Sequence, residues 1–312
     1  MPSLKSGLSY NSRQSLGKSL VKHWQLLVLL LPALFTVSMF HYVPFYGIQI
    51  AFKNFRASLG IWGSPWIGLE NFIRFLTFPD FYVIVRNTLS ISLYSLCLFP
   101  LEPLFALMIN EIDNRNMKRA VQMITYAPHF VSTVVVASLV LLLLDTSNGV
   151  VNNIIAALGA ERIPFMTTPA YFSSIHVLSG LWSNLGWGTI IYLAALSSVS
   201  PELVEAARID GASRLQIVRH INLPSIIPTA TILFILRTGN ILSVGREKIL
   251  LLQNPLNLPA SRVISTYVYQ VGLGTGQFSY STAIGLFDNI INVICIIIVN
   301  QIAKRVSETS LW

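Results

Sequence analysis

The chain has 312 residues, of which 53% are hydrophobic and 11% charged, with a mean hydropathy of +0.63 and a formal net charge of +8. Soluble domains carry about 25% charged residues, so this composition excludes an ordinary soluble fold and points to a polytopic membrane protein. The basic residues are scattered with no basic stripe, which argues against a nucleic-acid partner.

The first apolar run is Trp24 to Val43, behind a basic, Ser-rich tail (1–23) that carries Lys5, Arg13, Lys18 and Lys22. It is followed by Tyr42-Val43-Pro44-Phe45-Tyr46 and not by a small-x-small cleavage site. It therefore reads as an uncleaved first span with its N-terminus in the cytoplasm. Residues 44–86 are an outer loop rich in aromatics (Phe52, Phe55, Trp62, Trp66, Phe72, Phe75), expected to form short amphipathic elements at the membrane interface. Five further spans are predicted over 87–110, 120–144, 173–197, 224–245 and 281–303. Pro100 and Pro103 should kink the second, and such a kink serves either to line a path or to fit a packing bend. A surface helix is expected over 148–158 and a helical stretch over 261–271, with a short tail over 306–312. Cys97 and Cys295 fall in apolar spans and read as small core residues.

Six spans put both termini on one side. With that side cytoplasmic, the inside segments hold the N-terminal basic residues plus Arg115, Lys118, Arg119, Arg208, Arg214, Arg219, Lys304 and Arg305. The outside loops hold Lys53, Arg56, Arg74, Arg86, Arg162, Arg246, Lys248 and Arg262. The excess is modest, but the short loops, which count most, are both inside.

Residues 198–223 form a polar island between two apolar spans. Ser200-Pro201-Glu202 is a helix start: Ser caps, Pro suits the first turn, and Glu complements the positive helix end. Ala206 and Ala207 keep one face small, Gly211 permits a turn, and a second helical segment with Ile217, Val218 and Ile221 leads to Leu223-Pro224. The expected shape is a two-helix elbow at the cytoplasmic surface. It either rests on the membrane or grips another protein.

The frame Glu205-Ala206-Ala207, three residues, Gly211, nine residues, Ile221-x-Leu223-Pro224 resembles the motif of permease subunits of binding-protein-dependent ABC importers, with every fixed position matched. Asn87-Thr88-Leu89, Ala106 to Glu111, Gln122/Tyr126/Pro128/His129, Ser265 to Tyr269 and Tyr280 to Gly285 extend the resemblance over most of 25–305. They resemble the carbohydrate branch, especially the polysaccharide- and oligosaccharide-type permeases of Gram-positive bacteria. The resemblance implies an all-α, six-span, MetI-like (type I importer) fold, with a transmembrane core over 87–305. It also implies a bacterial plasma-membrane location and a coupling loop in which Glu205, Ala206, Ala207, Asp210, Gly211, Ile221, Leu223 and Pro224 meet an ATPase. The implied partners are a second homologous permease, ABC ATPase subunits, an extracellular substrate-binding lipoprotein, membrane lipid and a carbohydrate. The chain has no Gly-x4-Gly-Lys-Ser/Thr phosphate loop. ATP and Mg therefore belong to the partner ATPase, no cofactor is expected on this chain, and no nucleophile–base pairing marks it as an enzyme.

Charges inside spans are costly and often functional. Glu102, Arg237 and Asp288 stand out. At about 1.5 Å per residue, Arg237 lies roughly 12 Å and Asp288 roughly 10 Å below the outer ends of their spans. These two are level and form the expected pair, with Glu102 deeper but within reach of a long Arg side chain. Glu102 and Arg237 depart from the family pattern, where apolar or neutral residues are expected. The set either fixes helix packing or lines the substrate path. Trp182, Asn184 and Trp187 on the fourth span, Asn240 on the fifth and Asn289 on the sixth complete the path candidates, since sugars take hydroxyl hydrogen bonds and aromatic stacking. The two Trp residues lie about 140° apart around a helix and are not expected to share one ligand. His129 is expected to pack beside Pro128. An ion-coupled secondary transporter using Arg237, Asp288 and Glu102 is the alternative reading. A membrane enzyme or signalling scaffold is a third, without a visible catalytic constellation.

Overall fold

The structure is a computed structural model that describes residues 24–306 and 310–311. The basic tail of residues 1–23 lies outside the described residues. The fold is all-helical; among the described residues the single β feature is an isolated bridge between Lys53 and Trp66.

Helix α1, Trp24–Val37, runs through a π-helical turn, Ser38–Tyr42, into a 3-10 segment, Val43–Phe52. The first span is thus longer than 24–43, and the outer loop begins at Lys53. No residue of α1 is buried, so its apolar surface faces outward all round. Beyond it, α2, Glu70–Leu76, contributes Phe75 to the outer core.

The second span is α3, Phe81–Cys97, and α4, Leu101–Asn110, separated at 98–100. Pro100 occupies the N-cap of α4. With no N–H to donate, it ends the α3 ladder, and Glu102 falls on the first turn after the break. Asn87 and Thr88 hold the loop near residue 260. The Asn87 amide donates to Pro259 O (2.8 Å) and Arg262 O (3.1 Å), and Thr88 Oγ1 accepts from Ile264 N (3.0 Å).

The third span is not one helix over 120–144. Helix α5, Arg115–Tyr126, passes through a 3-10 turn, Ala127–Phe130, and the chain then turns by 100° into α6, Thr133–Leu143. Pro128 stops the first helix, and Ser132 Oγ caps the second by accepting from Val135 N. Helix α7, Val150–Ala157, matches the surface helix expected over 148–158.

The fourth span is α8, Pro169–Ser197, and bends 74° into α9, Pro201–Ile209. Helix α10, Arg214–Ile217, a π turn, Val218–Asn222, and α11, Leu223–Thr238, form one run. The fifth span therefore starts earlier than 224 and stops short of 245. Helix α12, Arg246–Leu252, and α13, Ile264–Tyr269, lie in the loop before α14, Phe278–Val306. Among the described residues, four helical runs are long and apolar enough to cross a membrane, or up to six if each bent pair is one span.

Three apolar clusters hold the helices together. One unites Phe75, Ile84, Leu242, Tyr267, Tyr280 and Ile284, and a second unites Ile91, Ala137, Phe172 and Ile249. The third, with Phe99, Ala106, Leu107, Tyr192, Leu196 and Ile226, packs α4, α8 and α11. Gly186 lets α8 touch α5: a Cβ there would stand 2.2 Å from the Thr125 carbonyl oxygen. Backbone cannot yield as a flexible side chain can. Gly186→Ala should destabilise the protein by about 1–3 kcal/mol, the usual cost of overpacking, read as a lower Tm of the purified protein in detergent; an unchanged Tm contradicts the contact.

Candidate functional site

The polar island folds as the expected elbow. Helix α9 ends in a closed C-terminal motif. Gly211 takes φ +82°, Ala212 N donates to Ala207 O (2.9 Å) and Gly211 N to Arg208 O (3.1 Å), with Asp210 as C-cap. This is the Schellman arrangement, whose left-handed position favours glycine. Ser213 then starts α10 with a capping box. Its backbone N–H donates to Gln216 Oε1 (2.7 Å), and its hydroxyl accepts from Gln216 N (3.4 Å). Ser200 does sit at the N-cap of α9, but its side chain makes no capping bond; its carbonyl accepts from Leu203 N instead.

Glu205, Ala206, Asp210, Gly211 and Pro224 are exposed, and Ala207 and Ile221 half-buried. Leu223 is also exposed. Ile209 and Leu215 stand 86% and 76% exposed on the same elbow. The elbow is braced from within. Arg214 Nη2 pairs with Asp113 Oδ2 (2.6 Å), Asn222 Nδ2 donates to Glu111 Oε1 (3.1 Å), and Ile217 is buried. The loop after α4 therefore carries the elbow, which explains the polar end of the Ala106–Glu111 segment.

Between the spans lies a cavity of about 420 Å³, open on one side and lined by α3, α4, α8 and the end of α11. Its polar wall comprises Ser92, Ser95, Glu102, His176, Asn184, Arg237, Asn240 and Ser243. Arg237 Nη1 donates to Glu102 Oε1 at 2.8 Å, and its guanidinium stands 5.6 Å from the Phe99 ring. Arg237 thus pairs with Glu102 and not with the level Asp288. Asp288 Oδ2 accepts instead from Asn292 at 3.5 Å on its own helix, and its Oδ1 has no partner among the described residues.

Four path candidates, Glu102, Asn184, Arg237 and Asn240, come together in the cavity wall. Asp288, Asn289, Trp182 and Trp187 do not line it; Asn289 and Trp182 are exposed elsewhere on their helices. Trp187 lies flat on His129, with ring centroids 4.4 Å apart and planes 4° from parallel, and His129 Nδ1 bonds Asn184 Oδ1 at 3.0 Å. His129 therefore packs on α8 as well as beside Pro128. The sequence carries no signal for Ser92 and His176, because one Ser or one His in an apolar span makes no pattern. Both are at least nine-tenths buried, and Ser92 Oγ and His176 Nδ1 lack partners among the described residues. Just outside, on α12, Lys248 Nζ donates to His176 O at 2.7 Å; burial lowers its pKa to about 8.

Residues 104–308 match the family described as "Binding-protein-dependent transport system inner membrane component". The chain belongs to this family. The match spans the end of the second span, the third to sixth spans and the elbow. It sets aside the ion-coupled transporter reading. Among relatives of this permease, the "Polygalacturonan/rhamnogalacturonan transport system permease protein YteP" of Bacillus subtilis is 40% identical over 301 residues, covering 96% of this chain and 94% of that protein. The "Protein LplB" of the same organism is 40% identical over 288 residues, covering 92% and 91%. A crystal structure of a bacterial alginate ABC transporter, in complex with alginate pentasaccharide-bound periplasmic protein, superposes with a TM-score of 0.86. It shows 38% identity and covers 95% of this chain and 99% of that one. The MetI-like permease fold follows from these matches.

Proposed function

We propose that the chain is one of two permease subunits in an ATP-driven importer of the bacterial plasma membrane. It forms half of the translocation path for an oligosaccharide or polysaccharide fragment. Both termini are cytoplasmic, with the 1–23 and 306–312 tails inside and the loop that begins at Lys53 outside. ATP and Mg act on a partner ATPase, a second homologous permease completes the path, and an extracellular binding lipoprotein delivers the sugar. The single observation that carries this reading is the exposed elbow at 201–222. Its small, uncovered Ala206 surface and its exposed Ile209 and Leu215 offer a docking face tied to the loop that ends the second span.

The sugar reading is supported by relatives named for polygalacturonan/rhamnogalacturonan and alginate. It is supported also by a cavity wall on which the exposed Asn184 and Asn240 offer amide groups to sugar hydroxyls. In the proposed cycle, closure of the ATPase dimer pushes the elbow, α11 follows because no break separates them, and the cavity changes the side to which it opens.

Glu205→Lys tests the docking. Glu205 is exposed and makes no ion pair among the described residues. Its reversal should leave the permease folded but reduce co-purified ATPase several-fold. Full ATPase recovery and normal ATP-driven uptake in that variant contradict the docking role.

A further inference from the structure

We propose that Arg237 is the receptor for a substrate carboxylate, and that Glu102 holds its guanidinium until an anionic sugar takes it over. This rests on the oligosaccharide reading above and adds the substrate class: a sugar chain that carries carboxylates, of the uronate kind.

The pair is built asymmetrically. Glu102 is seated: its side chain is only 12% exposed, and it fills the notch left by Gly188, where a Cβ would stand 2.7 Å from the Glu102 carboxyl carbon. Arg237 is the open member, 39% exposed, on the cavity wall. Its bond to Glu102 uses one of five N–H donors, and among the described residues no other acceptor is bonded to it. A guanidinium with a free edge facing water suits a second, bidentate carboxylate.

A charge pair that served packing alone has no need to face a cavity, and an ionised pair within a span is costly. The rest of the wall agrees with a charged, hydroxyl-rich occupant. Asn184 and Asn240 are exposed on it. Lys248, one turn from the wall, donates to a backbone carbonyl and faces no carboxylate among the described residues. Glu102 and Arg237 cancel, so Lys248 gives this wall a net positive charge, and a neutral sugar gains nothing from drawing Arg237 away.

The test is equilibrium binding of trigalacturonate, and of its full methyl ester, to the permease–ATPase complex in nanodiscs without the binding protein. The wild type should bind the acid at least about tenfold more tightly than the ester, a modest figure for a site built around a charged hydrogen-bonding partner. Arg237→Gln should bring that ratio to about one, and Arg237→Lys should keep part of it. Glu102→Gln, which removes the competitor, should tighten acid binding. The proposal is overturned by a wild type without acid preference, by an Arg237→Gln ratio equal to the wild type, or by weaker acid binding in Glu102→Gln. If Arg237→Gln fails to assemble, Arg237→Lys and Glu102→Gln decide alone. ATP-driven uptake that persists without acid preference at the permease sinks this inference and leaves the importer reading standing.

Discussion

Gly211→Val should insert and assemble, yet lose at least about tenfold in ATP-driven uptake while the partner continues to hydrolyse ATP. Gly211 holds φ +82°, and nothing lies within 4 Å of a Cβ built on it. The cost is therefore backbone strain and not a clash, roughly 1–2 kcal/mol for a left-handed residue and worst for a β-branched one. Tenfold corresponds to about 1.4 kcal/mol, so the strain alone is of the right size. The cheapest relief is to open the α9 terminus by breaking the Ala212–Ala207 and Gly211–Arg208 bonds. That turns α9 away from α10 and moves Ala206, Ala207 and Asp210 off the docking position proposed for them. Gly211→Asn, which tolerates the left-handed region, should keep most coupling. Uptake into proteoliposomes and phosphate release, measured side by side, read the difference. Equal uptake by the Val variant and the wild type contradicts the coupling role.

Glu102→Ala should destabilise the protein more than the double change Glu102→Gln with Arg237→Gln. Alanine leaves the Arg237 guanidinium without its carboxylate and empties the Gly188 notch. The double variant keeps two side chains that can hydrogen-bond and removes both charges. Removing one member of a fully buried pair costs about 3–5 kcal/mol. That is an upper bound here, because cavity water reaches the partly exposed Arg237. The Tm of the purified complex in detergent checks the order; a double variant less stable than Glu102→Ala contradicts it.

The features that sequence made legible are those whose geometry is local. Gly211, Asp210 and the Ser213–Gln216 box act within a few residues of chain, so the frame 205–224 predicts the elbow that the structure contains. Spans were legible because their composition is set by lipid. The partner of Arg237 was not. Counting depth along straight helices set it level with Asp288, but the break at 98–100 re-aims Glu102, and Gly188 makes room for it from a third helix. The 100° turn after Phe130 was hidden because apolar residues continue on both sides of it. Trp182 and Trp187 looked like sugar platforms by residue type alone. The structure leaves Trp182 outside the cavity and gives Trp187 to His129, a contact set by the turn that the sequence concealed.

ATP-driven accumulation tests the central claim most directly. The chain, its partner permease and the ATPase are reconstituted into proteoliposomes with the binding protein on the side facing the loop that begins at Lys53. No ion gradient is imposed. The account predicts that a labelled oligosaccharide accumulates only when ATP is present at the elbow side, and that accumulation collapses in Gly211→Val. Accumulation driven by a proton or sodium gradient in the absence of ATP would contradict it.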